Sequence, residues 1–283
     1  MWHTVKTYAV DFFLTLWSVF DWRNDGYSCA EESRNSKRLW YTLLLAAVLI
    51  GSAVRFYILH VEPDIGRDGV YYIELATRWA NGNFDDVRRG EVHWFFILPG
   101  ALWCIKLLIQ LGLPPLAAAV TANMLAGIAL IPLMYKISSV LFDSRKAGVV
   151  AAFLTALNPV LVDYSTDVLR ENFMLLSIAI MLLFTVLGFR KDSRYFCGAG
   201  FFTVAGILSR YEALEVIPLL LICLALLAVL RVYPVRKIMM QLLYFILGCI
   251  AGAVIFYFLL GIPAQYYTVN LFRRGTSLVK WIL

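Results

Sequence analysis

The chain is predicted to be an all-α polytopic membrane protein with about seven transmembrane helices, an interfacial N-terminal helix and a helical first external loop. Three observations predict this. Hydrophobic residues make up 61% of its 283 residues and charged residues only 16%, against roughly 45–50% and about 25% in soluble domains. Apolar runs of spanning length recur along the chain, with a mean hydropathy of +0.75 overall. The charges gather in short connectors between those runs. The runs lack the two-residue alternation of barrel strands, and in lipid only helices or closed barrels satisfy the backbone, so the spans are helices. A soluble globular domain is excluded.

Taken in order, residues 1–38 form a cytoplasmic interfacial segment. Asp11 interrupts its apolar stretch and no small-residue cleavage site follows, so residues 5–22 read as a helix lying on the membrane surface and not as a secretory signal. A span needs about 20 mainly apolar residues, and candidates stand at 39–60, 115–141, 147–161 (short), 172–189, 195–209, 213–230 and 238–260. Residues 39–260 then form the membrane core, including an external loop at 61–114, and residues 261–283 an external C-terminal segment. In that last segment Arg273, Arg274 and Lys280 meet lipid headgroups or are solvated.

The run 94–111 is ambiguous, because it carries Pro99, Gly100 and Lys106. Short cytoplasmic loops are enriched in Lys and Arg, and that decides it. If the run does not cross and the N-terminus, with Arg34, Lys37 and Arg38, is inside, the inner connectors hold Arg145, Lys146, Arg190, Lys191, Arg194, Arg231, Arg236 and Lys237. The short outer connectors hold only Arg170 and Arg210. If the run crossed, all the later loops would invert. The expectation is therefore seven spans in an inner, cytoplasmic membrane, with the N-terminus inside and the site on the periplasmic or exterior side.

The net charge of +6 is spread over these connectors and forms no single basic face, so nucleic acid is not an expected partner. Cys29, Cys104, Cys197, Cys223 and Cys249 show no CxxC spacing, which argues against a zinc site or a disulfide framework. His60 and His93 bracket the external loop without ligand spacing. No cofactor is predicted, and a metal ion is conceivable but not indicated.

Three polar clusters fall on the predicted external side. The first contains Glu62, Asp64, Arg67, Asp68, Gly69, Tyr71, Tyr72, Glu74 and Arg78. From Gly69 to Ala80 the pattern is helical, with Tyr72, Leu75 and Trp79 on one face and Glu74 four residues before Arg78. Asp68 stands at the start of that helix, where it is either an N-cap or a carboxylate that does chemistry. The second cluster follows Asn158-Pro159. Asp163, Asp167 and Glu171 are four apart and share a face if the helix is continuous, with Tyr164 and Arg170 beside them. A solvated loop reads the same way. The third is Ser209-Arg210-Tyr211-Glu212, set between two apolar runs with almost no loop. Charges that near lipid are costly unless paired or facing a wet cavity. Arg210 either grips a phosphate or pairs with Glu212 or Glu171 to staple helices.

Across these clusters the chain resembles the polytopic glycosyltransferases of the GT-C fold, the group (family 39/83-like) containing protein O-mannosyltransferases and the lipid A aminoarabinose transferase. The stretches that carry the resemblance are GRDGVYYIELATRWANGNF, LNPVLVDYSTDVLRENFMLL and GILSRYEALEVIPLL, in that order, over most of residues 40–230. The resemblance implies inverting transfer of a hexosyl or pentosyl group in the cell envelope. The donor would be a polyprenyl-phosphate-linked sugar, and the acceptor a hydroxyl of a lipid, glycan or protein. It implies that Asp68 is the general base and that Glu171, the second catalytic acid, orients hydroxyls. Arg210 would hold the donor phosphate. Arg67, Tyr72, His93, Asp163, Tyr164, Asp167, Arg170, Tyr211 and Glu212 would line the substrate site.

The chain also departs from the family pattern. Gly69 stands where relatives often carry a second acid, and His93-Trp94-Phe95-Phe96 replaces a Pro-Pro-Leu-Tyr-like segment. Relatives continue through further spans or a soluble domain beyond the position of Leu283, so the chain reads as a minimal member, a fragment or half of a two-chain enzyme, the last of which makes a second subunit a candidate partner. Two other functions compete: a transporter or lipid flippase, which commonly shows an internal repeat not found here, and a non-catalytic assembly subunit.

Overall fold

A computed structural model describes residues 34–61, 65–82 and 99–260. Outside the described residues lie the expected interfacial helix at 5–22, Glu62, Asp64, His93 and the segment 261–283 with its three basic residues. The described regular structure is helical throughout: α1 (Arg34–Val61), α2 (Arg67–Ala80), α3 (Pro99–Gln110), α4 (Pro115–Phe142), α5 (Arg145–Leu157), α6 (Pro159–Thr166), α7 (Glu171–Arg190), α8 (Tyr195–Ser209), a 3-10 turn (Tyr211–Glu215), α9 (Val216–Val229) and α10 (Val235–Leu260).

The expected count of seven spans is not confirmed. Among the described residues, five stretches are long and apolar enough to cross a bilayer: Arg38–Val61, Pro115–Phe142, Glu171–Arg190, Tyr211–Val229 and Val235–Leu260. A sixth is the pair α5 and α6 taken together, bent by 53°. The seventh expected span, α8, has 15 residues, about 22 Å at 1.5 Å per residue, short of the ~30 Å hydrocarbon core. It is enclosed by α7 and α10. Gly200 and Gly248 are bare where α8 meets α10, so backbone approaches backbone, the usual contact between helices in lipid.

The α5–α6 break has a local cause. Proline lacks an N–H and its ring clashes with the preceding turn, so Pro159 opens a new helix instead of continuing the old one. Asn158 caps it, accepting from the Leu161 N–H at 3.2 Å. α6 then lasts only eight residues. Val168 has φ 51°, a left-handed conformation that a β-branched residue adopts at a cost, and its side chain, 1% exposed, is held in an apolar cluster. Asp163, Asp167 and Glu171 therefore do not share one helical face. Asp163 lies on α6, Asp167 ends it, and Glu171 begins α7.

One apolar cluster joins Tyr72, Leu75 and Trp79 of α2, Leu102 and Ile105 of α3, Ala118 and Ala122 of α4, Val168, Phe173 of α7, Leu208 of α8 and Leu260 of α10. These are the element ends that the charge count places on the external side, gathered at one end of the bundle. The ambiguous run supplies α3, whose twelve residues, about 18 Å long, pack at this end against α2 and α4.

Within the bundle, Arg55 of α1 is 0% exposed. A charged side chain at membrane depth costs about 2.5–3.5 kcal/mol even on insertion scales, so its partners matter. The Nε donates to Ser165 Oγ at 3.0 Å, and NH1 to the carbonyls of Gly51 at 3.0 Å and Ala156 at 3.1 Å.

Candidate active site

The site assembles on the turn between α6 and α7. The Gly66 N–H donates to Asp167 Oδ1 at 2.5 Å, which fixes the start of α2 against that turn. Gly66 is the N-cap of α2 and makes no side-chain cap bond. Asp68 is thus not the N-cap, a correction to one of its two readings: it lies in the first helical turn with its side chain exposed. Asp167, expected to bind substrate, spends one carboxylate oxygen on the backbone. The expected Glu74–Arg78 pair forms at 2.5 Å, with both side chains exposed.

The apolar face of α2 is as expected, with Tyr72, Leu75 and Trp79 buried. Lys106 of α3 stands 4.8 Å over the Trp79 ring, a cation–π contact that accounts for a lysine in an otherwise apolar run. On the other side of α2, the Arg170 guanidinium lies 4.8 Å over the Tyr72 ring. Burial raises the Tyr72 phenol above its ordinary pKa; Arg170 opposes the rise, Asp68 adds to it and Arg210 opposes it. Asp68, Arg170 and Arg210, from three distant segments, all act on one tyrosine.

Arg210 follows α8 in extended backbone, φ −151°. Its guanidinium forks onto Glu212, Nε to Oε2 at 3.1 Å and NH2 to Oε1 at 2.7 Å, and its NH1 donates to Glu171 Oε1. The bond to Glu212 is the largest cause holding Arg210 charged, and Tyr72 and Tyr164 add to it. Both expected stapling pairs, Arg210–Glu171 and Arg210–Glu212, therefore exist at once. Arg170 shows no ion pair among the described residues, and its Nε is buried without a hydrogen-bond partner.

The structure brings together Tyr72, Asp167, Arg170, Glu171, Arg210 and Glu212, with Asp68 and Tyr164 within electrostatic reach of Tyr72 and Arg210 respectively. Arg67 and Asp163 are exposed on α2 and α6, and Tyr211 is half-buried in the 3-10 turn. His93 lies outside the described residues, and His60 is exposed near the end of α1. Among the described residues no group of three or more His, Cys, Asp or Glu side chains is placed to hold a metal ion. Arg55, Asn123, Ser165 and Asn172, none of them given a role from the sequence, form a buried polar chain beneath the site. A lone arginine inside an apolar span was the signal for it.

The glycine at position 69 also gains a reason. A Cβ there would stand 2.6 Å from Ile65 Cγ2 and 2.9 Å from the Asp167 carbonyl oxygen. Backbone cannot yield as a side-chain tip can, so no second acid fits after Asp68. Gly69→Ala is expected to push α2 off the α6–α7 turn, lowering stability by about 1–3 kcal/mol. A thermal unfolding midpoint no lower than wild type would refute this.

A family model described as dolichyl-phosphate-mannose-protein mannosyltransferase matches residues 98–259, more than half of the chain. The chain belongs to this family. It is accordingly a membrane glycosyltransferase of the GT-C fold using a polyprenyl-phosphate-linked sugar. A search of curated proteins finds no match. The family match takes in Tyr164, Asp167, Arg170, Glu171, Arg210 and Glu212 but stops short of α2. Asp68 and Tyr72 join the family's membrane core through the Gly66–Asp167 bond and the Arg170–Tyr72 contact.

Proposed function

We propose that the chain transfers a sugar from polyprenyl phosphate to an acceptor hydroxyl on the external side of the membrane, with inversion at the anomeric carbon. The acceptor oxygen attacks that carbon as its bond to the phosphate oxygen breaks; the polyprenyl phosphate leaves with the electron pair. Asp68 takes the acceptor's proton, as a general base within hydrogen-bond reach. Charge developing on the leaving phosphate is met by arginine. Arg210 is already engaged by two carboxylates, so Arg170, which has no carboxylate partner among the described residues, shares the phosphate with it. Glu171 orients Arg210 and a substrate hydroxyl. A site at the end of a bundle lets the membrane deliver a lipid donor to a fixed place.

One arrangement supports this reading: Arg170 lies over Tyr72, one turn along α2 from the exposed Asp68, and Arg210 joins Glu171 at the start of α7 to Glu212. An exposed carboxylate and two guanidiniums are what base-assisted displacement of a phosphate requires. The test is transfer of a labelled sugar from polyprenyl-phosphate donors in proteoliposomes. A covalent glycosylated product supports the reading, and donor flux without any product would give its place to a transporter.

The sidedness is tested separately. Asp163 is exposed on the short helix α6 and can carry a probe. In a background with the five native cysteines replaced, Asp163→Cys is expected to react with an impermeant maleimide added outside intact cells. Labelling from the cytoplasmic side alone would reverse the proposed topology.

A further inference from the structure

The most deeply buried cation among the described residues, Arg55, takes no part in the reaction just described. Arg55 has no ion pair among the described residues, yet its guanidinium bonds three elements at once: its own helix at Gly51, the end of α5 at Ala156, and α6 at Ser165. Ala156 is the second-last residue of α5, and its carbonyl lies where the Pro159 break ends the helical ladder. A cation at a helix C-terminus suits both the unpaired carbonyls and the dipole.

The chain of bonds continues. Asn172 Nδ2 donates to the same Ser165 Oγ at 3.2 Å and to the Asn123 carbonyl of α4 at 3.3 Å. Asn172 is 0% exposed and follows Glu171 in the first turn of α7. α4 is bare opposite these groups: a Cβ on Gly127 would collide with the Ser165 hydroxyl and stand 3.3 Å from Arg55 Nε. An apolar side chain at 55 would pack spans without burying a charge. What guanidinium supplies instead is a rigid fork holding several acceptors in one geometry.

We propose that Arg55 is a positioning residue of the external site, setting through Ser165 and Asn172 where the first turn of α7 presents Glu171 to Arg210. This rests on the transferase reading above. The bent pair α5–α6 has no continuous helix to hold it, and Arg55 is the tie that gives the break a single angle.

The test uses the full chain in proteoliposomes, with Arg55→Met, Arg55→Lys and Ser165→Ala. Spin labels go on cysteines at Val160 and Leu214, which are 52% and 43% exposed, in the cysteine-replaced background. Wild type is expected to give one narrow distance distribution, and Arg55→Met a broadened one. With a labelled polyprenyl-phosphate sugar, kcat per folded molecule is expected to fall by about 10²-fold, as for small misplacements of catalytic groups, with donor KM little changed. A purely structural role would reduce the yield of folded protein and leave kcat unchanged. Arg55→Lys is expected to be no better than Arg55→Met, because one ammonium cannot reproduce the fork; full rescue by lysine would overturn the proposal. Should the Arg55 variants not fold, Ser165→Ala decides, since it removes the relay and spares the bonds to Gly51 and Ala156. Wild-type kcat and a narrow distribution in Ser165→Ala would overturn the proposal. If wild type transfers sugar from no polyprenyl donor, the transferase reading fails, while the label distances still show whether Arg55 fixes the break.

Discussion

Asp68→Asn is expected to lower the rate of sugar transfer by about 10²–10⁴-fold, the usual contribution of a general base, while leaving thermal stability within about 0.5 kcal/mol of wild type. The two halves of that expectation have separate origins. Asp68 is exposed and makes no cap bond, so little of the fold depends on its charge. Asparagine keeps the size and the polarity but cannot accept the acceptor's proton. Donor KM is expected to hold, because the proposed mechanism gives Asp68 the acceptor and the arginines the phosphate. Initial rates against labelled donor, together with unfolding midpoints, separate the two. An Asp68→Asn protein that turns over like wild type would remove Asp68 from the mechanism.

The features legible in the sequence are those written in composition over long windows. The spans at 39–60, 115–141, 172–189, 213–230 and 238–260 each meet a helix long and apolar enough to cross. The charge count also grouped the element ends that the apolar cluster at one end of the bundle brings together. Less legible was whatever depends on one tertiary bond. Asp68 reads locally as an N-cap, but the start of α2 is set by Asp167, about a hundred residues away, accepting from Gly66. Asp163, Asp167 and Glu171 read as one helical face, but the left-handed turn at Val168 divides them. That turn is tolerated because the Val168 side chain is enclosed, and no local propensity announces it. Arg55 stands as a charge in an apolar run, though no role was read for it; its partners, Ala156 and Ser165, were not legible because they lie on either side of a proline break more than a hundred residues away.

Arg210→Met is the other substitution expected to act strongly, and here rate and stability should fall together. The Arg210 side chain, 25% exposed, stands between Glu171 at 21% and Glu212 at 53%. Removing the guanidinium leaves two carboxylates near each other with their shared counter-ion gone. Because the group is partly solvated, the loss is discounted from that of a fully buried pair to about 1–3 kcal/mol. Transfer is expected to drop by about 10²–10³-fold, the scale for losing a donor to developing charge, with donor KM rising as well. Glu212→Gln should cost under about 1 kcal/mol, since its carboxylate is half exposed. Glu171→Gln is the informative partner. If Glu171 only staples helices, the double substitution Arg210→Met/Glu171→Gln recovers stability, with a coupling of about 0.5–3 kcal/mol, and Glu171→Gln alone keeps its rate. If Glu171 also orients a substrate hydroxyl, the double variant recovers stability without recovering transfer. The stapling and substrate roles are thus compatible and separable by measurement: one resides in the unfolding midpoint, the other in kcat.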